Sequence, residues 1–222
     1  MKKRQLDDHI RNQWDKLYRN EKESQPIQKD IPGLVNVFKK YNVNRILDLG
    51  CGSGRHTIYL VGEGFDVYGF DISEQAINKT RSSLQAKGLN AHLFVGSMYE
   101  QLPFEDNFFD AVICIRVLHH GTIDNIRGAI SEIERVLKPG GFVYVTVRKR
   151  ISKEKRLRHK YIAPRTYVPL EGNEKGVVHY LFNKELFRKE FKNFKILELR
   201  IDYGPQEWEA YYSLLGRLRE MK

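Results

Sequence analysis

Residues 48–54 read Asp-Leu-Gly-Cys-Gly-Ser-Gly (DLGCGSG), with Arg45-Ile46-Leu47 before them and Arg55-His56-Thr57 after. Arg45–Leu49 is a short apolar run that fits a buried strand, and residues 55–63 fit a helix. Glycine loses more backbone freedom on folding than any other residue, so three glycines in five residues need a reason. In an open α/β sheet, ligands lie outside the carboxyl ends of the strands, where a strand turns into a helix. The glycines stand at such a place. Bare backbone lets a ligand approach closely, and the helix start that follows favours an anionic group. A dinucleotide fingerprint, G-x-G-x-x-G, needs glycine where this chain has Arg55, which counts against a nicotinamide or flavin enzyme. A phosphate-cradling loop needs Gly-Lys-Ser/Thr, which does not follow.

Strands and helices alternate outward from this stretch. Helices are expected over 5–22 and 30–40, a second strand over Phe65–Phe70, and a helix capped by Ser73 that ends near Lys87-Gly88. Strands follow at Ala91–Val95, Asp110–Ile115 and Phe142–Val147, with a helix over Asp124–Leu137 closed by Pro139-Gly140-Gly141. This alternation predicts an α/β, doubly wound, mostly parallel sheet with helices on both faces. The last third differs: Phe194–Ile201 and Glu209–Gly216 are separated only by Asp202–Trp208, so they are expected to pair antiparallel. No repeat or low-complexity tract interrupts the pattern.

Asp71 ends the second strand. A carboxylate there can accept hydrogen bonds from both hydroxyls of a ribose, so the glycine loop and Asp71 together point to a nucleoside ligand. The alternative is a glycine-rich turn and a helix-capping Asp, each without a ligand.

Four stretches carry a resemblance to a known family: ILDLGCGSGRH (46–56), VYGFDIS (67–73), FVGSMYEQLPFEDNFFDAVICIRVLHH (94–120) and ISEIERVLKPGGFVYVTV (130–147). In order and spacing the chain resembles class I S-adenosylmethionine-dependent methyltransferases of the small single-domain type. The resemblance implies a seven-stranded sheet whose last strand is antiparallel. It implies S-adenosylmethionine as cofactor, with Asp48, Gly50, Cys51 and Gly52 around its methionine part, Asp71 on the ribose, Ile72 on the adenine and Ser97-Met98 at the adenine edge. Ile115 and Tyr18 join the cofactor site by the same resemblance. Many members have Asp where this chain has Ser97. The implied organisation is one domain over 1–222: an N-terminal helical lid (1–44), a cofactor-binding core (45–147), a basic insertion on the substrate side after the fifth strand (148–193) and a C-terminal strand pair (194–222).

Composition bounds the rest. The 222 residues suit one sizeable core, and 41% hydrophobic with 30% charged residues describes a soluble globular protein. No apolar run is long enough to span a bilayer, and the basic start MKKRQLDDHI lacks the apolar stretch of a secretory signal, so the cytoplasm is expected. Cys51 and Cys114 are too few for a disulfide framework. No metal-ligand spacing surrounds them, and no metal is expected. Cys51 reads as a small residue that fits a turn rather than a nucleophile, and Cys114 as core.

Transfer of a sulfonium methyl needs chiefly alignment, with a base only for a protonated acceptor. His119 and His120, after the fourth strand, are the catalytic candidates; packing of that loop is the alternative. Trp14 and Tyr18 share one helix face and suit a lid or a packed core equally. From Arg148 to Arg165 there are nine basic residues against Glu154, within a chain of net charge +10. With Tyr161, Tyr167, His179 and Tyr180 interleaved, this stretch suits an RNA substrate, a small anionic metabolite gripped by Arg165, Tyr167 and His179, or merely a solvated helix. The acceptor stays open between small molecule and RNA, tRNA included, and so does the oligomeric state. A non-catalytic cofactor-binding or RNA-associated subunit is the alternative to an active methyltransferase.

Overall fold

The computed structural model describes residues 3–22, 25–149, 158–203 and 210–220. Helices α1 (Lys3–Asn20) and α2 (Ile31–Lys40) precede β1 (Arg45–Leu49), α3 (Arg55–Gly62), β2 (Asp66–Asp71), α4 (Glu74–Ala86) and β3 (His92–Val95). Then come β4 (Phe109–Ile115), α5 (Ile123–Val136) and β5 (Leu137–Arg148). The chain continues through β6 (His159–Ala163), β7 (Thr166–Pro169), β8 (His179–Tyr180), α6 (Lys184–Glu190), β9 (Phe194–Tyr203) and β10 (Ala210–Leu218).

Seven strands form one sheet in the order β3-β2-β1-β4-β5-β10-β9. β1 to β5 run parallel, whereas β10 is antiparallel to both of its neighbours, β5 and β9. The order reverses at β1, where the chain has placed β2 and β3 on one side and β4 on the other. That reversal opens a crevice at the carboxyl ends of the strands. The central strands are buried on both faces, which explains why RILDL and DAVICI read as nearly continuous apolar runs. On one face Leu47, Val112, Ile126, Ile133 and Val145 pack with Phe187 of α6 and with Phe182, Phe191 and Phe194 around it. On the other, Phe38, Ile46, Leu60, Val67 and Ile113 pack together.

Caps set the helix starts. Ser73 accepts a hydrogen bond from the Ala76 amide at 3.1 Å at the start of α4. Thr122 and Asn125 bond reciprocally at the start of α5. β5 begins earlier than its apolar run, at Leu137, because Leu137 pairs with Phe109 across a register shift that absorbs Pro139-Gly140-Gly141.

The insertion differs from one of its expected forms. Arg150, Lys153, Glu154, Lys155 and Arg156 lie outside the described residues, but 159–180 holds no solvated helix. It forms a second sheet, β6-β7-β8. Aromatic and β-branched residues in β6 and β7 favour extended chain, and Pro164 with Arg165, at φ 60°, makes the turn between them. Trp208 and Glu209, in the link between the two C-terminal strands, also lie outside the described residues.

Candidate functional site

A cavity of about 260 Å³ opens at the carboxyl ends of β1, β2 and β4. Its floor is the Gly50–Gly52 backbone with Asp71 and Ile72, one side is Ser97 and Met98, and α1 covers it with Trp14 and Tyr18. Asp71 is held from two sides: its Oδ2 accepts from the Gly52 amide at 2.9 Å and its Oδ1 from the Ser73 amide at 2.9 Å. Each oxygen keeps a second lone pair. Burial pushes the Asp71 carboxyl up to about 6, and the backbone amides of Ser73, Gly52 and Ile72 oppose that rise.

The glycines are bare partly for reasons within the chain. Gly50, Gly52 and Gly54 all have positive φ, at 78°, 57° and 85°. A Cβ on Gly50 would lie 2.4 Å from Val117 Cγ2, one on Gly52 2.5 Å from the Tyr18 hydroxyl, and one on Gly54 2.5 Å from Thr80 Cγ2. The loop is therefore shaped by β4, α1 and α4 closing on it, as well as by the open space above.

Asp48 does not line the cavity. It is buried beneath the loop, where Oδ2 accepts from the Thr57 hydroxyl at 2.7 Å. Burial raises its carboxyl to about 6. Cys51 does line the cavity, and burial and the neighbouring Asp71 push its thiol well up, which leaves it protonated and unsuited to nucleophilic attack. Ile115 and Tyr18 line the cavity as well.

Helix α1 is pinned by Asp15, whose Oδ1 accepts from the Ser73 hydroxyl at 2.6 Å and the Gln75 amide at 3.2 Å. α1 thus caps α4 while covering the cavity. Sequence reasoning missed Asp15, because an Asp on an amphipathic helix carries no local sign of a partner 58 residues away.

The remaining wall consists of Arg116, Val117, His120 and Glu174. Arg116, at φ 62°, turns the chain out of β4 and lays its guanidinium over the Tyr211 ring at 4.3 Å. The His120 ring packs on Trp14, with centroids 5.0 Å apart. Burial, then the neighbouring His179, lowers His120 to about 3, and burial with His120 beside it takes His119 well down, so both rings are neutral. Burial would raise Glu174, but the His179 hydrogen bond and the nearby Arg148 guanidinium outweigh it and hold the carboxylate low.

His119 stands behind His120 and outside the cavity lining, its ring centroid 4.2 Å from that of His120. Tyr167 and His179 also lie behind this wall, both buried and stacked with centroids 4.9 Å apart. Arg165 is not with them: it sits on the β6–β7 turn, where its Nε donates to the Leu181 carbonyl at 2.6 Å. The three residues expected to grip an acceptor therefore do not converge. Glu174 was missed because the sequence GNEKG around it reads only as a polar turn.

Residues 46–141 match the model of a methyltransferase domain. An uncharacterized methyltransferase of Synechocystis, sll0829, is 36% identical over 97 residues, covering 44% of this chain and 43% of that protein. The tRNA (carboxymethyluridine(34)-5-O)-methyltransferase of Arabidopsis thaliana is 41% identical over 107 residues, covering 46% of this chain and 23% of that protein. The chain thus spans less than half the length of either relative. Among solved structures, a SAM-dependent methyltransferase from Methanosarcina mazei superposes with a TM-score of 0.72 at 22% identity, over 88% of this chain and all of that one.

The sheet order, the strand-end cavity and the matched segment define the class I S-adenosylmethionine-dependent methyltransferase fold. Residues 46–141 match a methyltransferase domain, and the chain as a whole shares the fold of the Methanosarcina mazei structure. Among the described residues, no helix is long and apolar enough to cross a membrane.

Proposed function

We propose that the chain binds S-adenosylmethionine in the strand-end cavity and transfers its methyl group to an oxygen or nitrogen of an acceptor that meets it at the His120–Glu174 wall. The observation that carries this reading is Asp71: a buried carboxylate, fixed by two backbone amides, with one lone pair per oxygen left for a diol. The other residues fit the same ligand. Ile72, Met98 and Phe70 offer apolar surface to an adenine, the Gly50–Gly52 backbone admits the methionine part, and α1 closes over both as a lid. Bound there, the cofactor supplies a methyl group already activated on a sulfonium. The protein's task is then alignment and exclusion of water. His119 and His120 act on the acceptor side, His120 at the cavity and His119 behind it.

An RNA acceptor is favoured over a small anionic metabolite by β6, whose five residues are all exposed, with Tyr161 at 56% and Arg158, Lys160 and Arg165 around it. Exposed aromatic and basic side chains on one strand suit a phosphate chain with bases that stack. The tRNA acceptor in the name of the Arabidopsis relative points the same way, although that match lies in the cofactor half. Intact loop glycines and Asp71 favour an active enzyme over a non-catalytic binding subunit.

The test is transfer of labelled methyl from the cofactor to bulk tRNA, with Lys160→Ala/Tyr161→Ala alongside. Label should enter RNA, fall as salt rises, and fall further in the double variant. Label found only in small anionic metabolites would move the acceptor to the second reading. Turnover of none of them, with cofactor bound, would leave the binding-subunit reading.

A further inference from the structure

We propose that His119, His120 and His179, with Glu174 beside them, form a binding site for one divalent first-row transition ion on the acceptor wall. One ring nitrogen from each histidine can be chosen so that all three lie within 4.8 Å of one another. The rings come from two separate parts of the fold: His119 and His120 follow β4, whereas His179 is the first residue of β8 in the insertion. All three are buried, and His179 completely.

Their hydrogen bonding is incomplete in a way that an ion would satisfy. His119 Nδ1 and His120 Nε2 are buried and have no hydrogen-bond partner among the described residues. A buried polar atom left unpaired costs about 1–3 kcal/mol, and this histidine cluster holds two. His179 is more telling. Its Nδ1 lies 2.9 Å from the Val177 carbonyl, which can only accept, so Nδ1 carries the hydrogen. Nε2 lies 3.1 Å from Glu174 Oε2, also an acceptor. A cation must stand between them, either a second proton on the ring or a metal ion. A histidine that donates one nitrogen to a backbone carbonyl while offering the other is the usual arrangement of a metal ligand.

Imidazole suits zinc, iron, copper and nickel, and one carboxylate beside three imidazoles is a common donor set for them. Tetrahedral zinc with Zn–N bonds of about 2.0–2.1 Å holds its nitrogens about 3.4 Å apart, so the rings would close by up to about 1.4 Å. Arg148 Nη1, 3.6 Å from Glu174 Oε2, competes for that carboxylate, which leaves the imidazoles as the main ligands. Sequence spacing gave no sign of the site, because its ligands are brought together only when the insertion folds back on the β4 loop. The role of the ion rests on the methyl-transfer reading, though the site does not: at this wall it would hold an acceptor oxygen in front of the methyl group.

The experiment is a calorimetric titration of untagged protein, stripped with chelator, with zinc chloride, paired with thermal melts and a separate titration with S-adenosylhomocysteine. One zinc per chain and a higher melting temperature are expected. Stoichiometric binding should be lost in His179→Ala and in the milder His120→Gln, each shown folded by circular dichroism, and weakened about tenfold in Glu174→Gln. No stoichiometric zinc in folded wild-type protein, or zinc retained by both histidine variants, would overturn the proposal and leave a His179 imidazolium against Glu174. S-adenosylhomocysteine binding without zinc would sink the ion alone. Zinc binding without S-adenosylhomocysteine would sink the cofactor reading and leave the ion standing.

Discussion

The backbone amide of Gly52 donates to Asp71 Oδ2 at 2.9 Å, tying the loop after β1 to the end of β2. The carboxylate thereby orders the loop whose backbone lines the cavity, and it lines the cavity itself. Replacing it removes both effects. Asp71→Ala is expected to weaken S-adenosylhomocysteine binding by about 1–3 kcal/mol, the cost of losing buried hydrogen-bond partners. Calorimetry on the folded variant checks this, and an unchanged affinity would remove Asp71 from the ribose.

The glycine loop supplies a second expectation. Gly54→Ala forces a side chain into positive φ and against Thr80, whose hydroxyl donates to the Gly52 carbonyl at 2.9 Å, so destabilisation of about 1–3 kcal/mol is expected. Gly128 lies exposed in α5 with nothing near its would-be Cβ. Gly128→Ala should stabilise by about 0.5–1 kcal/mol through helix propensity alone. Denaturant midpoints of the two variants should therefore move in opposite directions.

Asp48 predicts a pH dependence. Its carboxyl is raised to about 6 in the folded chain, against about 3.9 unfolded. The folded state binds the extra proton between those values. The stability this group contributes is thus full below about pH 4 and lost as pH rises through about 6. Asp48→Asn keeps an acceptor for Thr57 and carries no charge. It should melt higher than wild type at pH 7, with the difference vanishing near pH 4; melting curves that stay parallel across that range would contradict the burial argument.

Trp14 joins α1 to the cavity wall through its contact with His120. Trp14→Ala should raise KM for the cofactor and lower kcat, because it opens the cavity to water and frees the His120 ring. Tyr18→Phe retains the ring over the loop and should change either parameter far less. Steady-state kinetics on the two variants separate a lid from a merely packed helix, for which Trp14→Ala would lower stability and leave KM alone.

What could be read from the chain alone follows from where the information lies. DLGCGSG and Asp71 are local patterns at consecutive strand ends, so the cavity floor and the mostly parallel sheet were legible. Ser73 as a helix cap was legible for the same reason. Asp15, Arg116 and Glu174 were not: each matters through a partner distant in sequence, Ser73 for the first, Tyr211 for the second and His120 for the third. The second small sheet was hidden by the charge of its segment, since lysines and arginines fit an exposed strand as well as an exposed helix. His119 and His179 were singled out, but their proximity depends on how the insertion returns to the β4 loop, and no periodicity records that.

The measurement that bears most directly on the central claim is calorimetric titration of the folded protein with S-adenosylhomocysteine, wild type beside Asp71→Ala. A single site of micromolar affinity, weakened in the variant, is the predicted result. Absence of binding to the folded wild type, or equal binding by both proteins, would contradict the assignment of the strand-end cavity to the methyl donor.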